Sequence, residues 1–385
     1  TEGGSGLIAA PVQIGYASDL ALAQTFEESL LGTASGSSAA LTDATGSALF
    51  NDFGNNLSGA LPITATCPGG TLGDAKTQTV MASSSSVEIA LNCQAPGHIT
   101  YQTGDIFRIE ATPGATPLNI SSLLDALDPT GGDAYPAVSR NGEWMTLVTE
   151  RFHPSCNGWS CLAVVNPNFT LGVVPWIGGA QIHPEGRTAI SNDGNMLVYF
   201  DDGPTHQSDL YVTTRSGDTW SAPLLLTGGS PHSYNVQPVL SPDQTRVLFD
   251  CGPIAWGQDG TGVCEIGVDG NGFVQLVHPV NDNPFGGGNA QQARSADYAP
   301  DGSIVFEASW DAEQLWRLSP GGSFSQIIPE HSNDNSPCVL PNGKIASLWL
   351  PDDPHELNLT EADGSSSVII LPGVDVADIG MSCHD

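Results

Sequence analysis

A short strand, a tight turn of the Pro-Asp-Gly kind and a strongly apolar strand recur five times along this chain. That periodicity restricts the possible folds more than any other feature. The copies are Tyr135-Pro136-Ala137-Val138-Ser139-Arg140-Asn141-Gly142 leading into Trp144–Val148, and Thr188-Ala189-Ile190-Ser191-Asn192-Asp193-Gly194 leading into Met196–Phe200. Pro238-Val239-Leu240-Ser241-Pro242-Asp243-Gln244 then leads into Val247–Phe249, Tyr298-Ala299-Pro300-Asp301-Gly302 into Ile304–Phe306, and Cys338-Val339-Leu340-Pro341-Asn342-Gly343 into Ile345–Leu348. Each copy continues into a second strand pair, as in Asp209–Val212 followed by Ala222–Leu226, or Gln314–Leu318 followed by Phe324–Ile328. Turns such as Asp269-Gly270-Asn271-Gly272 supply the positive-φ positions that hairpins need. The repeating unit is a four-stranded antiparallel meander, and the turn positions 142, 194, 244, 302 and 343 are spaced as one unit per repeat.

These units resemble TolB-like β-propeller repeats, whose core is Ser-Pro-Asp-Gly before an apolar strand, followed by a strand of the Asp-Leu-Tyr-Val kind. The resemblance covers about residues 133–372. It implies an all-β propeller and says little about activity, because many functions share the fold. An upstream unit is expected from Val87–Leu91 and Asp105–Ile109, giving a six-bladed propeller over residues 61–385; seven blades follow if residues 40–66 add another meander. The tail Ala377–Cys383 can lend a strand to the first blade, with a Cys383 bridge locking that seam. Residues 1–60 do not fit the repeat and read as an N-terminal extension: a Gly/Ser-rich tether, then a short amphipathic helix from Ser18-Asp19 through Leu20, Leu22, Phe26, Leu30 and Leu31 to Gly32. This extension can pack on the ring, plug it or support self-assembly.

The 42 acidic residues against 10 basic ones give a formal charge of -32. Such a surface repels nucleic acid and anionic membranes, and it favours cations or neutral ligands. Eight cysteines fall in local groups: Cys67 and Cys93, Cys156 and Cys161, Cys251 and Cys264, Cys338 and Cys383. An even, locally spaced set implies disulfides and an oxidising compartment, with pairing left open by sequence. No apolar run is long enough to span a membrane. The expected location is secreted, periplasmic or cell-surface. The start Thr1-Glu2-Gly3-Gly4-Ser5-Gly6 resembles the tether after a lipidated lipoprotein cysteine. The sequons at Asn56, Asn119, Asn168 and Asn358 are no more than this Ser/Thr content produces by chance.

Propeller geometry places His183, His232 and His331 near the starts of inner strands, at the channel mouth, with Gln291 at the same repeat position. His153, His206 and His355 fall in loops between second and third strands, with Trp159, Trp256 and Trp310 in equivalent loops. Three imidazoles on one axis can hold a divalent metal ion, with Mn, Ca, Cu and Zn not distinguished; equally, each can simply bond blade backbone. The arrangement is similar in position to the manganese site of oligogalacturonate lyases. That likeness implies a base and a cation acting beside a uronate carboxylate, with Arg187, Arg294, Tyr135 and Tyr234 near enough to inner-strand starts to contribute. The loop tryptophans can stack on sugar rings, or cover the loops hydrophobically. Hydrolase elbows, zinc-protease, phosphate-loop and dinucleotide motifs are absent from the sequence. The expectation is a binding or interaction propeller with a protein, glycan or metal ligand. A metal-assisted polysaccharide lyase and a surface-assembly subunit are the alternatives.

Overall fold

In the computed structural model the chain forms two compact units, Thr1–Pro96 and Gly97–Asp385. The structure describes residues 97–385 apart from 130, 157–160, 167, 178–179, 183–185, 203–206, 218, 254–259, 287–290, 311–312, 328–333, 350–354 and 375–380; before residue 97 it describes seven strands.

In the first unit, β1 (Pro11–Gln13) runs antiparallel to β4 (Ser47–Leu49) and parallel to β7 (Val87–Glu88). β2 (Ala21–Glu27) pairs with β3 (Ser35–Leu41), and β5 (Ala60–Ala65) with β6 (Lys76–Met81). The helix expected from Ser18 to Gly32 is therefore wrong over Ala21–Glu27. Leu20, Leu22 and Phe26 satisfy a two-residue alternation as well as a helical one, and a pairing partner seven residues long decides between them. The expected grouping of Val87–Leu91 with Asp105–Ile109 also fails, since β7 pairs inside the first unit.

The second unit is built from four-stranded antiparallel meanders. The first holds β8 (His98–Thr103), β9 (Asp105–Glu110) and β10 (Leu118–Asn119), with β34 (Met381–His384) laid against β8. Between β10 and the next meander, α1 (Ile120–Leu124) is capped by Asn119, whose Oδ1 accepts from Ser122 N at 2.8 Å. The second meander is β11 (Asp133–Val138), β12 (Met145–Thr149), β13 (Cys161–Val165) and β14 (Gly172–Val173), followed by a small hairpin, β15 (Trp176–Ile177) and β16 (Ala180–Gln181). The third is β17 (Ala189–Ile190), β18 (Met196–Asp202) and β19 (Ser208–Ser216), edged by β20 (Thr219–Trp220) and β21 (Leu224–Leu225). A lone Ser208–Tyr234 pair joins it to the fourth: β22 (Tyr234–Leu240), β23 (Arg246–Gly252), β24 (Gly262–Gly267) and β25 (Val274–Val277). The fifth is β26 (Ala293–Tyr298), β27 (Ile304–Ala308), β28 (Gln314–Leu318) and β29 (Phe324–Gln326). The sixth is β30 (Asp334–Val339), β31 (Ile345–Trp349), β32 (Glu356–Thr360) and β33 (Ser367–Pro372).

The five repeat turns share one geometry. Gly142, Gly194, Gln244, Gly302 and Gly343 each donate their N–H to the carbonyl three residues back, and each has positive φ. Gly194 also needs its missing side chain, because a Cβ there would meet the Trp144 ring at 2.4 Å. The strands after these turns are buried along most of their length, wholly so in β12 and β27, because both faces pack on neighbouring meanders. That double burial is why they read as continuous apolar runs.

The apolar clusters lie between consecutive meanders. Ile106 with Leu147, Val164 with Leu197, Leu210 with Phe249, Leu248 with Phe306, and Val305 with Ile345 mark successive contacts. A further cluster joins Leu348 and Leu359 of the sixth to Ile99 and Ile109 of the first. The packing thus returns to its start. Each such fully buried side chain is worth about 1.5–3 kcal/mol.

The chain tail supplies the strand expected of it. β34 pairs with β8 from Met381–Tyr101 to His384–His98, and Cys383 is bridged to Cys338 of the sixth meander. Cys156–Cys161 and Cys251–Cys264 are also bridged, whereas Cys67 and Cys93 lie outside the described residues.

Candidate functional site

The first strands of four meanders carry the same irregularity. Their register slips between Ala134 and Ala137, Val236 and Val239, Arg294 and Asp297, and Asn335 and Cys338. In each bulge a non-glycine residue has positive φ: Tyr135 at 50°, Gln237 at 58°, Ser295 at 53° and Ser336 at 50°. Such conformations cost of order 1–3 kcal/mol and persist only when the surroundings hold them.

Here the holder is the preceding meander. Ser295 N donates to both oxygens of Asp250, at 2.9 and 3.1 Å, and Ser336 N donates to Glu307 Oε2 at 3.2 Å. Tyr135 N donates to Gln102 Oε1 at 2.9 Å. All three acceptors sit late in second strands, where the chain reads Phe249-Asp250, Phe306-Glu307 and Tyr101-Gln102. An aromatic followed by an acceptor at the end of the apolar strand was the available sequence signal, and it was missed.

Residues of all four bulges border one or the other of two cavities. One cavity of about 40 Å³ is bordered by Val138, Arg140, Arg187, Val239, Asp297 and Ser382 among others. A smaller one of about 10 Å³ is bordered by Arg187, Gln237, Ser295, Ser336 and Met381. Between them the two cavities draw lining residues from all the meanders of the second unit, and Arg187 borders both.

Most charge around this space is paired. Arg140 Nη2 contacts Asp297 Oδ1 at 2.7 Å and donates to Tyr298 O at 2.9 Å. Asp297 accepts in addition from Tyr298 N and Val339 N, both at 2.8 Å. Among the described residues Arg187 has no hydrogen-bond or ion-pair partner, and its Nε is buried. Burial pushes its guanidinium below the usual arginine range; Asp297 and Asp250 oppose that shift and Arg140 adds to it.

The expected metal set is only partly described, since His183 and His331 lie outside the described residues. His232 borders neither of these two cavities. It tilts against Phe273 at 6.1 Å, and its ligand atom lies within 4.8 Å of the sulfurs of Cys251 and Cys264. Those sulfurs are bonded to each other and offer no thiolate. Burial lowers the His232 pKa, a contact with Gln275 working against it. Gln291 is buried, and its Oε1 accepts from Asn283 Nδ2 at 2.5 Å. The two described members thus have separate local roles.

Other expected ligand residues also divide. His206, Trp159 and Trp256 lie outside the described residues. Trp310 is not a surface platform: it is 4% exposed, packs on Trp316 at 4.8 Å, and donates Nε1–H to Pro279 O at 2.6 Å. A position in a loop between second and third strands does not reveal whether a side chain turns inward, and that of Trp310 does. Arg294 is committed to Glu307 through Nε at 2.9 Å and Nη2 at 2.8 Å. His153 Nδ1 lies 2.6 Å from Ser155 Oγ. His355, half-buried before β32, accepts from Val374 N through its carbonyl. Tyr234 opens β22, opposite Ser208 and Gly252.

No family model matches the chain, and no curated protein sequence matches it. Solved structures do. A protein described as TolB from Agrobacterium tumefaciens aligns with a TM-score of 0.51 at 17% identity, covering 74% of this chain and 92% of that one. A chain of a nidogen/laminin complex aligns at 0.49 and 12%, over 75% and 98%. An oligogalacturonate lyase in complex with manganese aligns at 0.46 and 11%, over 70% of each. The first likeness shows a TolB-like propeller fold for the second unit. At these identities it speaks to the fold alone, and the two weaker ones carry no argument.

Proposed function

We propose that this chain is an exported, non-catalytic, six-bladed propeller that binds a ligand at its axial channel. One observation carries the reading: a guanidinium without a partner among the described residues, Arg187, stands where lining residues from all the meanders converge. A closed wheel concentrates side chains from remote parts of the chain in this way, and a polar niche inside apolar walls is the usual form of a small-ligand site. The cyclic order of the apolar clusters supports the blade count, and the disulfides support an oxidising compartment.

A binding role fits the channel better than a lyase role, because Gln291 and His232 border neither cavity and are engaged with Asn283 and Phe273 instead. Protein and glycan partners both remain within the reading. The test is a binding screen of the full chain against neutral and acidic glycans and peptides, with polyuronate turnover followed in parallel by the absorbance of unsaturated products. Saturable binding without turnover is expected. Turnover that needs manganese and stops on chelation overturns the reading.

A further inference from the structure

We infer that the axial cavity is a monocarboxylate site, with Arg187 as its principal donor. The inference rests on the binding-propeller reading and adds the chemical class of the ligand.

Two arginines border the cavity, and both bring an unspent donor. Arg140 Nε and Arg187 Nε are buried without hydrogen-bond partners. The nearby carboxylates cannot turn to serve them. Asp297 is held by Arg140 Nη2, Tyr298 N and Val339 N, and Asp250 by the strained N–H of Ser295. Swinging either carboxylate toward Arg187 would strip a buried N–H of its acceptor, which costs about as much as the new contact returns. Among the described residues no other group offers the missing acceptor, and a bound ligand can supply it.

The size and charge of the space select what that acceptor is. A cavity of about 40 Å³ accommodates a carboxylate group or a few waters. A planar carboxylate matches the guanidinium fork in two parallel hydrogen bonds. Gln237, Ser295 and Ser336 add polar side chains on the side of the smaller cavity. The formal charge of -32 disfavours anions of higher valence, so one negative charge is the best fit. Uronic acids, peptide C-termini and free organic acids all present this group.

The test uses the full chain, with sodium acetate titrated against sodium chloride at fixed ionic strength and thermal unfolding and calorimetric binding as readouts. Acetate stabilises saturably and the neutral isostere acetamide does not. Galacturonate, and a dipeptide set beside its C-terminal amide, then identify the source of the carboxylate. Arg187→Gln weakens acetate binding by at least about tenfold, the loss expected of one charge-assisted pair. Arg187→Lys keeps the charge but loses the fork, and decides the matter should the Gln variant fail to fold. Arg215→Gln, at a residue that borders neither cavity and whose Nε donates to the Gly217 carbonyl, responds as wild type. Equal effects of acetate and acetamide, or wild-type responses from both Arg187 variants, overturn the inference. So does a wild-type chain that ignores every monocarboxylate while binding a partner in the screen, since the cavity then holds water only and the binding reading survives. Acetate binding at Arg187 together with polyuronate turnover sinks the non-catalytic reading and leaves the site intact.

Discussion

The fifth and first meanders of the second unit have the same four-stranded plan but are held together by different physics. The fifth is contiguous over residues 293–326, and its interior is aromatic: Trp310 lies edge-on to Trp316 at 4.8 Å, to Phe324 at 5.6 Å and to Phe306 at 5.7 Å. The first is assembled from segments nearly 300 residues apart, so β34 must be recruited against a loop-closure cost. Its fastening is directional and covalent. Cys383 is bridged to Cys338, Val138 N donates to Ser382 Oγ at 3.1 Å, Asp385 N to Arg140 O at 2.9 Å, and the buried His384 places Nε2 3.0 Å from Thr100 Oγ1. Local chain continuity lets nondirectional packing suffice, whereas a join between distant segments requires contacts that specify one register.

The contrast breaks most directly at Trp310. Trp310→Ala is expected to cost about 3–5 kcal/mol in denaturant unfolding, the usual loss for a large buried aromatic. A cost under 1 kcal/mol would mean that something other than the aromatic cluster holds the fifth meander. Next in size, Cys338→Ser combined with Cys383→Ser should lower stability by about 2–4 kcal/mol. Hydrogen exchange should then quicken first in β34 and β8 while β26–β29 stay protected. Uniform acceleration would erase the distinction between seam and contiguous sheet.

The smallest effect is a pH dependence confined to the seam. Burial pushes the His384 pKa down from the ordinary 6.5 to about 3, with the backbone of Asp385 opposing and His98 and Arg108 adding to the shift. Between those values the unfolded chain binds a proton that the folded one refuses. Stability from this group is therefore complete well above pH 6.5 and falls as the pH drops toward 3, by about 2.7 kcal/mol at pH 4.5. His384→Gln should flatten most of that slope; His232, whose pKa is lowered by burial as well, leaves a remnant. An unchanged slope in the variant would remove His384 from the account.

The fold was largely legible because turns and apolar runs are local signals. Gly142, Gly194, Gly302 and Gly343 mark turns in the sequence and Gly270 and Gly272 mark positive-φ positions; in the structure all six have positive φ. Cys383 marked the seam for a similar reason, since a cysteine far from the repeats must find a partner within them. The site was less legible. Arg187 stood out only by its place near an inner-strand start, and its lack of a partner depends on the commitments of Asp297 and Asp250, which no spacing rule reveals. Trp310 misled for the same reason, because loop membership does not encode burial. In the first unit, Leu22 and Phe26 satisfied two periodicities at once, and pairing with Ser35–Leu41 chose between them.

The bulges at Tyr135, Ser295 and Ser336 owe their shape to an acceptor oxygen offered by the neighbouring meander, so the residue occupying each position is relieved of shaping its own backbone. Natural variation can therefore rewrite the inner wall one position at a time without unseating a strand. A descendant of this chain could change what it captures long before it changed its architecture.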